Sequence, residues 1–252
     1  MPSTPLQSYM ICTAPRSGST LLCRLLAATK IAGNPDSHFH SPSLDDWLDD
    51  YGLKRADYAD TEDCLRALIN SAIARGKGGT DIFGLRLQRP SFDYVMQQLG
   101  RLLPGQMRDA RRIEQAFGAT LYIHLTRSDR LGQAISYVRA EQTGLWHRNA
   151  DGTELERLAP AQDARYDAAA IRGQMAALTA LDAAWERWFE REGIRPLRLT
   201  YDALSEQPQR ILAEVLAALY LDPGHARSVE PPTAKLADDV SRAWRDRFES
   251  ES

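Results

Sequence analysis

The chain has 252 residues, of which 43% are hydrophobic and 26% charged, and its formal net charge is −3 with a pI near 6.0. That length suits one large α/β domain or two small ones. The hydrophobic content is enough for a core that needs no disulfide or metal to stabilise it. The near-neutral charge excludes a general attraction to nucleic acid or to an anionic membrane. Any anion site must therefore be local.

The cysteines and the N-terminus bear on the compartment. Cys12, Cys23 and Cys64 are an odd number and form no CxxC or Cys/His metal spacing. We therefore expect reduced thiols, no metal and a cytoplasmic location. Residues 1–9 carry no positive charge and no long apolar core, which disfavours a signal peptide. No run approaches the roughly 18 apolar residues of a membrane span.

Along the chain, apolar strands alternate with helical patterns. Strands are predicted at 9–12, 82–87, 120–125 and 195–201. Helices are predicted from 21 onward, at about 61–75, 92–102, 131–142 and 207–220, and at 166–192, where Trp185, Trp188 and Phe189 mark a buried face. This alternation predicts a mostly parallel sheet with helices on both faces, in a single domain over 1–252.

Two segments stand apart from this regular pattern. Residues 144–163 show no clear periodicity, and an irregular loop of that length in a compact domain is usually functional or mobile. The tail at about 235–249 is charge-rich and predicted to be helical, and its Lys235 and Arg242 are candidates to close over a bound anion. The usual alternative for such a tail is a solvated helix.

The loop Arg16-Ser17-Gly18-Ser19-Thr20 lies between the first strand and the first helix. Backbone N–H groups at a helix start are unpaired and the helix dipole favours an anion there. Gly18 permits close backbone approach, the three hydroxyls can donate, and Arg16 adds a charge. A simple N-cap is the alternative interpretation. The lysine of GxxxxGK[ST] is missing, which disfavours an ATPase, a GTPase or a kinase-like phosphotransferase.

A second candidate anion site follows the strand at 120–125. Arg127 lies just beyond that strand, at the edge where α/β proteins bind ligands, and Ser136 follows nine positions later. An arginine and a hydroxyl can hold a phosphate, although Arg127 could instead form a surface ion pair with Asp129. Because parallel strands end on one rim, we expect both anion sites on the same edge of the sheet.

Four blocks together resemble a known family. They are APRSGSTLL at 14–22, GNPDSHFH at 33–40, RSDRLGQAISYVRAEQTGLW at 127–146 and KLADDVSRAWRDRF at 235–248. Their order and spacing are similar to those of the bacterial Stf0-type sulfotransferases. The resemblance implies a P-loop-like three-layer α/β fold, a homodimer, and the donor PAPS (3′-phosphoadenosine 5′-phosphosulfate), which leaves as PAP after sulfuryl transfer.

The resemblance also implies roles for the anion-binding residues. Residues 16–20 would hold the 5′-phosphosulfate of the donor, and Arg127 with Ser136 would hold its 3′-phosphate. The acceptor would be a hydroxyl of a small, carbohydrate-like molecule such as a sugar or glycolipid. An in-line displacement needs a general base for that hydroxyl and stabilisation of the leaving phosphate, for which Arg16 is a candidate.

The segment at 33–40 departs from the family pattern. The family motif is similar to G-x-P-x-E-[FY]-F, with the glutamate as proposed base, whereas this chain has Ser37 at that position. Histidine as a residue type titrates near pKa ~6.5, so His40 and His38 are the preferred candidate bases and Asp36 the third. In an extended segment these three side chains would share one side, but in a turn they would not.

Further residues are candidates to contact the acceptor. Ser37 and Arg86 are polar groups predicted near the loop, and Trp47 and Trp146 could form a stacking wall for a sugar ring. Tryptophan more often fills a core, and a strand arginine is often on the surface. The main alternative function is a catalytically silent protein that binds PAP or PAPS and has lost the base.

Overall fold

The fold is described from a computed structural model for residues 5–148, 153–230 and 239–251. The described strands are β1 (Ser8–Thr13), β2 (Phe83–Gln88), β3 (Thr120–Thr126), β4 (Leu145–Arg148), β5 (Glu154–Arg157) and β6 (Leu197–Thr200). The described α-helices are α1 (Ser19–Ala28), α2 (Leu44–Tyr51), α3 (Thr61–Lys77), α4 (Arg89–Leu102), α5 (Asp109–Phe117), α6 (Arg130–Thr143), α7 (Ala168–Glu192), α8 (Tyr201–Glu206), α9 (Pro208–Ala218) and α10 (Asp239–Ser250).

Four parallel strands form the central sheet in the order β2-β1-β3-β6. Ser8 at the start of β1 lies opposite Phe83 of β2 and Thr120 of β3, so the three strands begin in register and end together. The predicted parallel sheet with flanking helices is confirmed. Its carboxyl edge therefore brings together the loops that follow β1, β2, β3 and β6.

The side chains of β1 divide the core into two layers. Met10 and Cys12 belong to one apolar cluster with helices α2, α3, α4 and α7, whereas Tyr9 and Ile11 belong to another with α1 and α9. Strict alternation along a strand sends neighbours to opposite faces, and here both faces are covered. All six residues of β1 are buried, which fixes the loop after it rigidly at the edge of the sheet.

Three helices and a hairpin were not predicted from the sequence. The short helices α2, α5 and α8 have too few turns to give a clear period. The segment predicted as an irregular loop at 144–163 contains an antiparallel pair, β4 and β5, in which Leu145 lies opposite Arg157. The prediction of irregular structure there is wrong for the paired residues, because the register shifts of the hairpin break strict alternation.

The C-terminal tail is helical where it is described. Trp244 and Phe248 of α10 are buried in an apolar cluster with residues of α6 and α7, including Ile135 and Leu178. The part of the predicted tail at 235–238, with Lys235, lies outside the described residues. This packing holds the polar face of α10 close to the loop after β3.

Trp47 is a core residue, so the prediction that it forms a sugar-stacking wall is wrong. Its side chain is 2% exposed and packs edge-on against Phe39 and Tyr94, with ring centroids 5.0 and 5.2 Å apart. Helix α2 is amphipathic and begins at a capping serine, Ser43, whose hydroxyl accepts a bond from the Asp46 N–H. The apolar face of α2, which carries Trp47, therefore turns inward.

We expect the burial of His38 to make the free energy of unfolding depend on pH. Burial lowers the pKa of His38 from its usual value, against the opposing effect of Asp36. Because the unfolded chain then binds more protons than the folded one, stability falls as pH drops below about 6.5, by up to about 1.4 kcal/mol per pH unit. Urea unfolding of wild type and His38→Asn from pH 8 to 5 should give a flatter profile for the variant. Parallel profiles would exclude His38 as the source.

Candidate active site

The loop after β1 has the backbone of an anion site. Gly18, which precedes α1, has φ of +82°, and Arg16 has φ of +61°, in the left-handed region. Gly18 has no side chain that could cap the start of α1, and the first N–H groups of a helix have no partner within the helix itself. Together with the helix dipole, those N–H groups favour a bound anion.

The hydroxyls of the loop are not all available to a ligand. Ser17 is 1% exposed, and its hydroxyl is hydrogen-bonded to the hydroxyl of Thr13; Ser19 is also buried. The Ser17 hydroxyl is therefore already engaged by Thr13, and a ligand role for the Ser19 hydroxyl stays a prediction. The backbone N–H groups and the Thr20 hydroxyl, at the mouth of a cavity, are further donors of the loop.

Gly18 provides the sharpest test of the loop geometry. A Cβ at Gly18 would lie 2.3 Å from Cδ2 of Tyr201, and φ of +82° disfavours any L side chain. We expect Gly18→Ala to displace Tyr201 or the loop and to weaken anion binding at least about ten-fold. Calorimetric titration with a nucleotide phosphate measures this. Gly105→Ala, with positive φ but open space around it, is the matched control and should bind like wild type.

Beside the loop lies a cavity of about 440 Å³, which we call the donor cavity. It is lined by residues of the loop, α6, the β4–β5 hairpin, α8 and α10. Six arginines face it against three carboxylates: Arg16, Arg127, Arg139, Arg157, Arg242 and Arg245, with Asp129, Asp202 and Glu206. Although the whole chain is slightly acidic, this cavity is therefore locally cationic and suits a multiply charged anion.

Arg16 and Ser136, predicted in separate sites, are in direct contact. Arg16 Nε donates to Ser136 Oγ at 3.0 Å, and Arg16 Nη1 donates to the carbonyl of Trp146. Burial, together with nearby Arg127, lowers the pKa of Arg16 to about 10, which still leaves it charged at neutral pH. Bringing a phosphate into the cavity would offset that burial and repulsion, so the site is built for an anion.

Arg127 lies between an aromatic ring and a carboxylate. Its guanidinium is 4.7 Å from the ring of Tyr201, and its Nη2 donates to Asp129 at 3.1 Å. Asp129 also accepts from Arg245 of α10 at 2.6 Å. Burial acts to raise the pKa of Asp129, but the bonds from Arg245, the Gly132 N–H and Arg127 outweigh it and lower the pKa. Arg127 thus forms the predicted ion pair with Asp129 and also lines the cavity where the predicted anion site would lie.

A second, more open cavity of about 780 Å³ adjoins the first, and we call it the acceptor cavity. Thr20, Arg86 and His40 line it together with Glu156 of β5. Trp146 lines both cavities, its ring 6.0 Å from the Arg16 guanidinium. The loop, the cationic cavity and the polar cavity therefore form one continuous site, with Trp146 where they meet.

Arg86 links the loop to the segment that departs from the family motif. Its Nη1 donates to Thr20 Oγ1 and its Nε donates to Ser37 Oγ, both at 2.7 Å. Its Nη2 lies 3.4 Å from Asp36 Oδ1. The guanidinium thus occupies the mouth of the loop and bridges it to Ser37 and Asp36.

His40 and Asp50 form a pair at the wall of the acceptor cavity. His40 Nδ1 lies 3.2 Å from Asp50 Oδ2, and both side chains are about half-exposed. A carboxylate that holds one ring nitrogen leaves the other for a substrate proton, which is the arrangement a general base requires. Asp50 was not predicted, since it lies at the end of α2 and ten residues from His40 in sequence.

His38 lines the same cavity as His40 but is far less exposed. It lies in a turn, is 4% exposed, and its Nδ1 is 2.8 Å from the hydroxyl of Tyr51, with the ring packed against Phe83. Residues 36, 38 and 40 all line the acceptor cavity, but the ring of His38 is enclosed, whereas that of His40 is about half-exposed. His40 is therefore the histidine best placed to take a proton.

A helix N-terminus with an arginine-lined cavity, joined to a polar cavity that holds a His–Asp pair, defines a group-transfer enzyme with an anionic donor. The chain belongs to the Stf0 sulphotransferase family, whose sequence profile matches residues 8–251. It is a sulfotransferase by this membership.

Two curated relatives carry the name trehalose 2-sulfotransferase. The one from Mycobacterium tuberculosis (strain ATCC 35801 / TMC 107 / Erdman) is 30% identical over 99% of this chain and 97% of its own. The one from Mycolicibacterium smegmatis (strain ATCC 700084 / mc(2)155) is 28% identical over 96% and 94%.

Two solved structures match over most of the chain at low identity. A sulfotransferase domain from the Synechococcus PCC 7002 olefin synthase matches with a TM-score of 0.41 and 17% identity, over 99% of this chain and 90% of that one. A sulfotransferase from Alicyclobacillus acidocaldarius matches with a TM-score of 0.45 and 14% identity, over 99% and 92%.

The described part of the chain contains neither a cluster of side chains suited to a metal ion nor a membrane-spanning helix. Over 5–148, 153–230 and 239–251, His, Cys, Asp and Glu side chains form no group of three that could bind a metal ion. Within the same ranges, no helix is long and apolar enough to cross a membrane.

Proposed function

We propose that the protein transfers a sulfuryl group from PAPS to a hydroxyl of a small, carbohydrate-like acceptor, with His40 as the general base. The observation that carries this proposal is the joined pair of cavities: an arginine-lined one beside the β1–α1 loop and a polar one that holds the His40–Asp50 pair. The first suits a nucleotide with two anionic groups, and the second suits a polyol.

The residues of the donor cavity fit PAPS. The 5′-phosphosulfate would lie on the N–H groups of the loop, near Arg16 and Thr20, where charge develops on the leaving phosphate. The 3′-phosphate would lie between Arg127 and Ser136, and Arg242 and Arg245 of α10 also line this cavity. That phosphate would compete with Asp129 for the arginines that now hold it.

The acceptor cavity fits a neutral polyhydroxylated molecule. Its charged groups balance, with three arginines at 24, 75 and 86 against three carboxylates at 36, 50 and 156, and so offer donors and acceptors without an excess charge. Trp146 lies at the junction and could stack on a ring. The names of the curated relatives point to a sugar acceptor as well.

The reaction is an in-line displacement at sulfur. The acceptor oxygen forms a bond to sulfur while the bond from sulfur to the 5′-phosphate oxygen breaks, and PAP leaves. The hydroxyl proton passes to Nε2 of His40, whose Nδ1 is held by Asp50. Arg86, which contacts Thr20 at the mouth of the loop, would face the sulfuryl oxygens. Ser37 would anchor Arg86 rather than accept the proton.

Transfer of radiolabelled sulfate from PAPS to a panel of mono- and disaccharides tests the proposed function. We expect a sulfate-labelled product with at least one neutral sugar, and no labelled sugar when γ-phosphate-labelled ATP replaces PAPS. Tight PAP binding without any labelled product across sugars, glycolipids and phenols would instead favour a catalytically silent donor-binding protein. The predicted cytoplasmic location and homodimer remain separate proposals.

A further inference from the structure

A buried polar chain runs from the anion-binding loop to helix α7. Gln133 of α6 is fully buried, and its Nε2 donates to the carbonyl oxygen of Pro15 at 2.7 Å. Its Oε1 accepts from Arg130 Nη1 at 2.7 Å, and Arg130 Nη2 donates to Asp182 Oδ2 at 2.5 Å. We call these three residues the Gln133 relay. Both Nε2 and Oε1 of the Gln133 amide therefore have a hydrogen-bond partner within the protein.

The Gln133 relay holds the peptide group between Pro15 and Arg16. The Pro15 carbonyl belongs to the peptide that leads into Arg16, and Arg16 has φ of +61°. A residue other than glycine adopts that conformation only when its surroundings impose it. A hydrogen bond to the preceding carbonyl fixes the orientation of that peptide, and with it the direction of the Arg16 side chain and the N–H groups that follow.

The orientation of the Gln133 amide is itself fixed. A glutamine amide can flip, and a flipped Gln133 would place its oxygen against the Pro15 oxygen. Arg130 can only donate, so its contact with the Gln133 oxygen directs the nitrogen toward Pro15. Asp182, whose side chain is 13% exposed, holds Arg130 in that position. Asp182 therefore fixes the position of Arg130, and Arg130 fixes the orientation of the Gln133 amide.

We infer that Gln133 is a positioning residue for donor binding, and that Arg130 and Asp182 act through it to hold the Arg16 loop in its anion-binding conformation. This inference rests on the proposed function only for the identity of the donor. Gln133 lines neither of the two cavities, so it acts through Pro15 and not by contact with the nucleotide. A purely structural glutamine would affect stability without changing the loop.

The test compares Gln133→Met and Gln133→Glu with Gln98→Met. Methionine keeps the volume but removes the amide, and glutamate keeps the contact with Arg130 but cannot donate to Pro15. Gln98 is also a buried glutamine, 3% exposed, but it lies in α4 and lines neither cavity, so Gln98→Met matches the loss of a buried amide elsewhere. Asp182→Asn weakens the far end of the relay and serves if the Gln133 variants do not fold.

Two readouts are taken well below the melting temperature of each variant. Hydrogen exchange of the loop amides at 16–20 should be about ten-fold faster or more in both Gln133 variants, and PAP should bind about ten-fold more weakly. Gln98→Met should match wild type in both readouts even if its melting temperature falls. Acceptor KM should stay near the wild-type value.

The outcomes separate this inference from the proposed function. Gln133 variants with wild-type loop exchange, or with faster exchange and unchanged PAP affinity, would overturn the positioning role while leaving the sulfotransferase proposal intact. If wild type itself does not bind PAP, the donor assignment fails. The loop exchange of Gln133→Met against Gln98→Met then decides the relay without any nucleotide.

Discussion

Replacing Arg16 or Arg127 by alanine should weaken PAP binding by about 1.5–3 kcal/mol each, which is about 10- to 150-fold in the dissociation constant. Arg16 lies half-buried between Ser136 and the Trp146 carbonyl, and Arg127 lies on the ring of Tyr201. Each would give a charge-assisted bond to a phosphate in a partly enclosed cavity. Isothermal titration calorimetry with PAP measures both effects directly.

The control for these two variants is Arg101→Ala. Arg101 is an exposed arginine of α4 that lines neither cavity, so its removal changes the net charge by the same amount without touching the site. We expect its PAP affinity to equal that of wild type at physiological salt. Equal, small losses in all three variants would mean that PAP senses only overall charge and that the donor cavity is not the binding site.

Removal of His40 should reduce turnover far more than donor binding. If His40 takes the proton of the acceptor hydroxyl, His40→Ala should lower kcat by about 100-fold or more, within the usual range for a general base, and leave PAP affinity unchanged. Asp50→Asn keeps the size of the side chain but loses the charge that orients His40, and should lower kcat by about ten-fold.

His225→Ala is the matched control for His40. His225 is a similarly exposed histidine that faces an aspartate, Asp222, but it lies outside both cavities. Its replacement should leave turnover and the pH profile as in wild type. A His40→Ala enzyme with wild-type kcat would remove His40 as the base, and attention would pass to Asp36 and Glu156 in the same cavity.

The elements that the sequence predicts well are those whose pattern repeats over several residues. The central strand β1 is buried on both faces and appears as an unbroken apolar run, and α6 and α7 are long enough for their apolar spacing to be clear. The loop at 16–20 could be predicted because strand, turn residues and helix follow one another without a gap. The acid-rich α2 could not, although Ser43 followed by Asp46 is a capping signal.

The anion-binding part of the candidate site was predicted because its arginines are close in sequence to strand ends. Arg16 and Arg127 follow β1 and β3, and adjacent parallel strands bring such residues together. Pairs joined by packing could not be foreseen: Tyr201 against Gly18, Asp50 beside His40, and Gln133 under Pro15 depend on how helices pack on the sheet. The prediction for Trp47 was wrong because, in sequence, an aromatic residue beside a polar segment cannot be distinguished between a core position and a sugar-binding one.

The measurement that tests the central claim most directly is a calorimetric titration of wild-type protein with PAP, beside AMP, which lacks the 3′-phosphate. The six arginines of the donor cavity predict one site per chain for PAP, and binding to AMP about ten-fold weaker or more because the contacts of Arg127 are lost. No detectable binding of PAP at millimolar concentration, or equal binding of both nucleotides, would contradict the assignment of PAPS as the donor.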